Sequence, residues 1–340
     1  MLLNASGGSV DFKGITNLKN VELRKMGQKN NFKAALRFEN SNSSNADGTP
    51  VSIIENVSLH QGDGWGVSVK NSSNISFKNC NVFDFEQIGV NFDITTNVSA
   101  DSLNVFGVRR RTLNLQDNLV DKECCFAVGS FTDKTKLVKT TVKNSIAAGC
   151  IFSGFIAPGY SCSDPVGAST TNVFTGNIAH SSEVSGFMIF LDISVPSSST
   201  CYQADNLKTY KNAGPGIGSL FKSDEFRVTN YVGIDNTLGV SLNLALETDT
   251  EKLLVLKDSF IYGETSDLAK DCPDGSGSAT GADCYCKEKM GHMSTIATRT
   301  GKEPPHIPMA SARPVFKAKS YSTWSTKATL DNVQFFNFKS

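Results

Sequence analysis

Ile54-Glu55-Asn56-Val57-Ser58-Leu59-His60 is followed, 23 residues after its asparagine, by Phe77-Lys78-Asn79-Cys80-Asn81-Val82. Each stretch sets an apolar residue, a polar residue and an asparagine before the chain returns to apolar side chains. The signature recurs at Leu18-Lys19-Asn20-Val21, Val142-Lys143-Asn144-Ser145, Phe174-Thr175-Gly176-Asn177, Leu256-Lys257-Asp258-Ser259 and Leu330-Asp331-Asn332-Val333, with looser copies at Asp101, Asn206 and Asn230. From Asn56 through Asn79, Asp101, Asn144, Asn177, Asn206, Asn230 and Asp258 the steps are 23, 22, 43, 33, 29, 24 and 28. A short base unit, lengthened in places by insertions, marks a solenoid.

A second element follows most of these markers. Gly66-Val67-Ser68-Val69, Gly89-Val90-Asn91-Phe92, Gly149-Cys150-Ile151-Phe152, Gly186-Phe187-Met188-Ile189 and Gly239-Val240-Ser241-Leu242 each read as a glycine opening a short apolar strand. The segments are rich in Val, Ile and Phe and mostly alternate, which is strand chemistry, and helical periodicity is nearly absent. No L-x-x-L-x-L consensus of a leucine-rich repeat occurs, and kelch or WD40 units of about 40 to 50 residues are too long. The expected fold is all-β: a single-stranded right-handed parallel β-helix whose coils stack about 4.8 Å apart. Its interior columns are apolar, and asparagine at a recurring bend takes the left-handed conformation it tolerates and bonds to the next coil.

The spacing predicts nine to eleven coils in one domain over residues 1–340, covering approximately 9–262 and 326–340. Excursions are expected at 22–50, 115–136, 155–170, 190–201 and, longest, 263–325.

Composition narrows the function classes. Lys+Arg and Asp+Glu both total 33, a balance unlike the basic excess of a nucleic-acid binder. No apolar run approaches the ~18 residues of a membrane span. The 28 asparagines are explained by the repeat without catalysis. Six N-x-S/T sequons, at Asn4, Asn42, Asn56, Asn71, Asn74 and Asn97, are glycosylation candidates and favour an extracellular or luminal setting. Of nine cysteines, Cys80 reads as a buried thiol. Cys124, Cys125, Cys150, Cys162, Cys201, Cys272, Cys284 and Cys286 are disulfide candidates. Cys272, Cys284, Cys286 and His292 also suggest zinc, but the usual C-x₂₋₄-C knuckle is missing and a disulfide-pinned loop is the better reading.

Asn20-Val21-Glu22-Leu23-Arg24-Lys25-Met26-Gly27-Gln28 resembles the opening of the β-helix in the fibrocystin group, which includes fibrocystin-L and cell-surface hyaluronidases. The segments at 35–39, 54–60 and 66–69 follow in the same order, and Gly176-Asn177-Ile178-Ala179-His180-Ser181-Ser182-Glu183-Val184-Ser185-Gly186-Phe187 is similar to another coil of that group. The resemblance covers most of 18–190 and thins afterwards. It implies the fold and a surface location, cell-surface or ciliary, while the cysteines and sequons suggest that residues 1–340 are a segment of a longer extracellular or luminal chain. The hyaluronan-degrading members carry histidines where this chain has Leu36-Arg37-Phe38-Glu39 and Gly66-Val67-Ser68-Val69-Lys70, so the resemblance points to the non-enzymatic members.

The expected function is therefore a structural or adhesive module that contacts proteins, or adjoining domains of the same chain, through its loops. The stretch 263–325 is its expected docking arm, and no cofactor or metal is expected. The alternative is a polysaccharide-active enzyme, hydrolase or lyase, binding a uronate-type glycan. Three residues before Gly66, Gly89 and Gly186 stand Asp63, Glu86 and Glu183, with Arg110 expected beside the first two. Neighbouring carboxylates with an arginine suit acid–base work on a glycosidic bond, although outer columns of a solenoid are polar simply because they face water. Arg109-Arg110-Arg111 suggests a sulphated glycan or a solvated edge, and Trp65 and Trp324 suggest sugar stacking or packing. His180 has no identifiable partner and reads as a turn histidine. No phosphate-cradling loop, H-E-x-x-H or G-x-S-x-G is present.

Overall fold

The computed structural model describes residues 14–28, 33–42, 49–109, 123–129, 139–157, 171–190, 201–220, 226–236, 238–242, 253–263, 296–298 and 327–336. Among these residues there are strands and turns but no helix, and the strands join one continuous sheet. They pair in parallel, as Asn17–Lys19 does with Ser52–Glu55 and Val67–Phe83 with Ile88–Phe106.

One coil is complete in Val67–Phe83. Residues 67–70 form an A wall, 75–78 a B wall and 81–83 a C wall, with left-handed bends at Asn71, Asn74 and Asn79. Ten B-wall segments stack from Asn17–Lys19 up to the first half of Lys327–Phe336, within the expected number of coils.

The bend between B and C walls explains the asparagines. Asn20, Asn56, Asn79, Ser102, Asn144, Gly176, Asn206, Asn230, Asp258 and Asn332 occupy it, all with φ between 48° and 67°. Two markers thus shift by one residue: the bend is made by Ser102, not Asp101, and by Gly176, not Asn177. Asn177 points inward instead, donating through Nδ2 to the Val142 carbonyl at 2.8 Å and accepting from the Ser145 amide at 3.0 Å. Along the bend, Asn56 Nδ2 donates to Asn20 Oδ1 at 3.1 Å, Asn144 to Asp101 Oδ1 at 3.0 Å, and Asn332 to Asp258 Oδ1 at 2.7 Å.

The residue before the bend forms a second column: Lys19, Glu55, Lys78, Asp101, Lys143, Thr175, Asp205, Thr229, Lys257, Asp331. No two like charges adjoin in it. Lys19 meets Glu55 at 3.0 Å, Lys143 meets Asp101 at 3.1 Å and Lys257 meets Asp331 at 3.6 Å. Exposed pairs add little stability each, and the alternation avoids the cost of like charges side by side in adjacent coils.

Inside, Phe126, Phe155 and Phe187 stack along the A wall with centroid separations of 4.8 and 6.0 Å, and Phe174 meets Phe187 edge-on at 5.1 Å. The strand-opening glycines stand at a tight corner. A Cβ on Gly89 would meet Val105 Cγ1 at 2.3 Å, and one on Gly66 would meet Val82 Cγ1 at 2.5 Å. The equivalent residue two coils above Gly89 is Gly154, whereas Gly149 belongs to the C-to-A bend (φ 64°), which accounts for its short spacing from Asn144.

In the intervening coil Cys125 takes the glycine's place and forms a disulfide with Cys150. Small Ala147, where other coils carry Val82 or Val105, leaves room for it. Cys124, expected among the bridging cysteines, is a buried thiol: strand alternation turns it to the outer side of the A wall, beside Ile88, Ala127 and Ile156. Cys80 is a buried thiol as expected, and burial pushes it above the ordinary thiol range. Cys162, Cys272, Cys284 and Cys286 lie outside the described residues, and of Cys201 only its place in a B-wall strand is described.

The expected excursions prove to contain coil strands. Glu22–Arg24 and Leu36–Glu39 fall within 22–50, Cys124–Gly129 within 115–136, and Ile296–Thr298, paired to Leu238–Leu242, within 263–325. Short strands separated by long insertions carry too little periodic signal to be read alone.

Candidate functional site

Of the expected carboxylates, Glu86 has Arg109, the neighbour of the expected Arg110, beside it. Glu86 forms a bridge with Arg109, and Arg110 lies outside the described residues. Arg109 Nε meets Asp84 Oδ1 at 2.5 Å, and its Nη2 donates to the carbonyls of Gly62 and Asp84 at 3.3 and 3.4 Å. Its Nη1 stands 3.8 Å from Glu86 Oε1. Glu86 itself is buried, and its Oε2 has no hydrogen-bond partner. Asp63 is exposed. The arginine is thus engaged in fastening three successive bends, while the two carboxyl groups differ sharply in environment. Glu183 lies two coils above Arg109 with Ile151 between, remote from this cluster.

Trp65 is a packing anchor: it is buried beneath the A wall's outer cluster and its Nε1 donates to Gln87 Oε1 at 3.0 Å. It offers no open face to a sugar. The outer side of the A wall is likewise closed, with Cys124, Ala127 and Ile156 fully buried although they point away from the core. Trp324, Arg111 and the possible zinc set Cys272, Cys284, Cys286 and His292 lie outside the described residues. Among the described residues no group of three or more His, Cys, Asp or Glu is placed to hold a metal ion, and no helix is long and apolar enough to cross a membrane.

The C wall carries a feature missed in the sequence. Its outward column reads Arg24, His60, Phe83, Phe106, Ala148, His180, Tyr210, Ile234, Tyr262, Phe336. Rings fill seven of these ten positions. Phe83 and Phe336 remain 49% and 43% exposed. Beside the column, on the same outward face, stand Ile146, Ile178, Val232 and Phe260 in the upper coils. His180 is therefore a strand residue of this wall rather than a turn histidine. Its ring stacks on Tyr210 at 4.5 Å and 8°, and Nδ1 lies 3.1 Å from Ser181 Oγ. Burial, then the Lys211 charge, hold it below the ordinary imidazole pKa, so it is neutral at pH 7. Phe260 stacks on Phe336 at 4.8 Å. Within each of these two pairs one ring turns a face to the other. At the lower end Glu22 Oε1 lies 2.6 Å from His60 Nε2, leaving that end polar.

Four sequon residues, Asn56, Asn71, Asn74 and Asn97, belong to the bends. Asn71 Nδ2 donates to Asn40 Oδ1 and Asn97 Nδ2 to Asn74 Oδ1, both at 2.6 Å, while Asn74 Nδ2 donates to Ser73 Oγ at 3.1 Å. Asn56 bonds to Asn20 as described, Asn42 is exposed, and Asn4 lies outside the described residues.

No protein-family model and no curated protein matches the chain. Among solved structures it is similar to the periplasmic alginate epimerase AlgG, at 10% identity and a TM-score of 0.52, over 94% of this chain and 61% of that one. Two structures of PfbA, a surface adhesin of Streptococcus pneumoniae, align at 12% identity with TM-scores of 0.38 and 0.33, over 94% and 96% of this chain and 76% and 87% of theirs. The chain thus spans 61% of the epimerase's length, and the likeness shows the fold, a right-handed parallel β-helix.

Proposed function

We propose that the chain is a non-catalytic recognition module whose C wall binds the surface of another protein. A fold shared with an epimerase does not choose a chemistry, so the reading rests on one observation: an axial column of ring-bearing residues, partly exposed, flanked by aliphatic side chains. Contiguous apolar surface of this kind is characteristic of protein interaction sites, and aromatic residues are enriched at such interfaces. Glycan platforms need an open ring face. Here His180 with Tyr210, and Phe260 with Phe336, cover each other's faces, which favours a protein over a sugar. In this reading the module is one β-helix domain of an extracellular or cell-surface protein of fibrocystin-like type. Asn42, Asn56, Asn71, Asn74 and Asn97 are then candidate glycan carriers and the loops secondary contacts.

A second reading, glycan cleavage or epimerisation, is favoured by the unpartnered Oε2 of Glu86 beside Arg109. One experiment separates the two. The unmodified chain, Phe83→Ser/Tyr262→Ser and Glu86→Gln are assayed against immobilised matrix proteins and against alginate, hyaluronan and pectate. The proposal expects protein binding that falls at least tenfold in the wall variant only, and no change in any polysaccharide. Polysaccharide turnover that disappears in Glu86→Gln would establish the second reading.

A further inference from the structure

The three left-handed bends of the coil do not use asparagine alike. Between the A and B walls they hold Asn40, Asn71, Asn74 and Asn97, and between the B and C walls most are asparagine as well. Between the C and A walls the same conformation is held by Lys25, Gln61, Asp84, Ser181, Lys211 and Asp235, or by glycine, and by no asparagine among the described residues. Asn42 follows Asn40 at the first of these corners, so every described sequon asparagine flanks the B wall. The bend accounts for the asparagines but not for the hydroxyl two residues on. After Asn20, Asn79, Asn144, Asn206, Asn230 and Asn332 that position holds Glu22, Asn81, Ile146, Lys208, Val232 and Gln334, whereas after Asn56, Asn71, Asn74 and Asn97 it holds serine. Asn56 and Asn71 are exposed, with Ser58 and Ser73 partly exposed beside them and the residue between, Val57 or Ser72, buried.

We propose that the chain carries N-linked glycans at Asn56 and Asn71, which cover the B wall of the lower coils and leave the C wall bare for docking. The proposal rests on the extracellular setting argued above, and not on what the C wall binds. Transfer takes place before the coil closes, from an oligosaccharide linked to a lipid pyrophosphate. Nδ2 bonds to the anomeric carbon of the sugar, the bond from that carbon to the pyrophosphate oxygen breaks, the lipid pyrophosphate leaves, and Nδ2 gives up one proton to solvent. The folded coil accommodates the product. Nδ2 keeps one hydrogen, and one is all that the bend ladder uses: Asn56 gives one to Asn20 Oδ1 at 3.1 Å, and Asn71 gives one to Asn40 Oδ1. Above Asn56 the outer side of the B wall is polar, with Ser76, Ser99 and Thr141 in one column and Lys78, Asp101 and Lys143 in the next. A bulky, hydrated glycan suits such a surface and would foul an apolar one. No sequon occurs after Asn97, so the upper, ring-rich coils of the C wall stay clear of sugar.

The test maps occupied asparagines on the full chain, recovered from its native source and, separately, secreted from a glycosylating eukaryotic cell behind an added signal sequence. Enzymatic release of the glycans in heavy-oxygen water marks each formerly occupied asparagine for mass spectrometry, and both Asn56 and Asn71 are expected to be marked. Ser58→Ala and Ser73→Ala keep each asparagine and its bend, so each should remove the mass of one glycan while the β-sheet circular-dichroism spectrum persists. In the double variant, acetylation of the exposed Lys78 on the B wall should rise severalfold, and that of the exposed Lys208 on the C wall should not change. A chain from either source that is empty at either asparagine overturns the proposal. If the native chain alone is empty at both, the extracellular setting falls with it. Lys78 reactivity that is the same with and without the glycans overturns the covering of the B wall.

Discussion

Replacing Asn144 with alanine and, separately, with glycine divides the work of the bend into two parts. Asn144 holds φ at 51° and donates through Nδ2 to Asp101 Oδ1 at 3.0 Å. Alanine loses the hydrogen bond, about 1 kcal/mol for a partly exposed partner, and must hold the left-handed conformation at a further 1–2 kcal/mol, roughly. The expected total is about 2–3 kcal/mol. Glycine loses the same bond, but its backbone is at ease there. Its extra unfolded-state freedom adds about 0.5 kcal/mol, for a total near 1.5 kcal/mol, roughly. Urea unfolding followed by far-ultraviolet circular dichroism measures both, with unchanged m-values certifying that the same surface unfolds. Alanine should be the worse by about 1 kcal/mol. Alanine equal to or better than glycine would refute the claim that asparagine recurs because of the left-handed bend.

Acid should erode the charge column. The Lys19 hydrogen bond and charge, helped by Lys78 against a small burial effect, hold the Glu55 carboxyl below its usual range. At Asp101 burial pushes upward, but the Asn144 and Lys143 hydrogen bonds outweigh it. Folded values below unfolded ones mean stability that is complete above about pH 5 and lost as pH falls through the lowered folded values. Glu55→Gln/Asp101→Asn should flatten the stability profile below pH ~5, and an unaltered slope would count against the assignment. Ile94 sits at φ 55° in the A-to-B bend where the coils below have Asn40 and Asn71. Ile94→Asn should stabilise by about 1 kcal/mol in the same urea assay, since a β-branched residue is strained there. Gly89→Ala should cost about 2–3 kcal/mol or prevent folding, because its Cβ would meet Val105 Cγ1 at 2.3 Å. Gly14→Ala, with nothing within 4 Å, is the neutral control.

The coil was legible because the bend imposes a backbone conformation that few residues accept, and asparagine therefore recurs at it. Asp101 and Asn177 were misplaced because a serine and a glycine accept that bend as well, while nearby Asp and Asn serve other ends. The C-wall column was missed for a different reason. Its members, from His60 and Phe83 to Tyr262 and Phe336, share no single residue type, so no motif connects them. A signal was nevertheless present: each stands four residues after its bend residue, as Phe83 follows Asn79 and Tyr210 follows Asn206. The alternating charges stand one residue before it, at Glu55, Lys78 and Asp101. Arg109 was passed over as the neighbour of Glu86 because the C-to-A bends, at Lys25, Gln61, Asp84 and Gly107, share no residue type that would set the register.

The recognition wall depends on one claim, that coils stack so that outward C-wall residues form a single axial column. Spin labels at Asn81, Lys208 and Gln334, all outward in one column, test it by pulsed electron–electron distance measurement. Lys208 lies four coils above Asn81 and Gln334 seven. The backbone separations should be about 19 and 34 Å, tracking coil number and not the intervening chain length. Equal distances for the two pairs, or a longer one for the nearer coil, would contradict the stacked column.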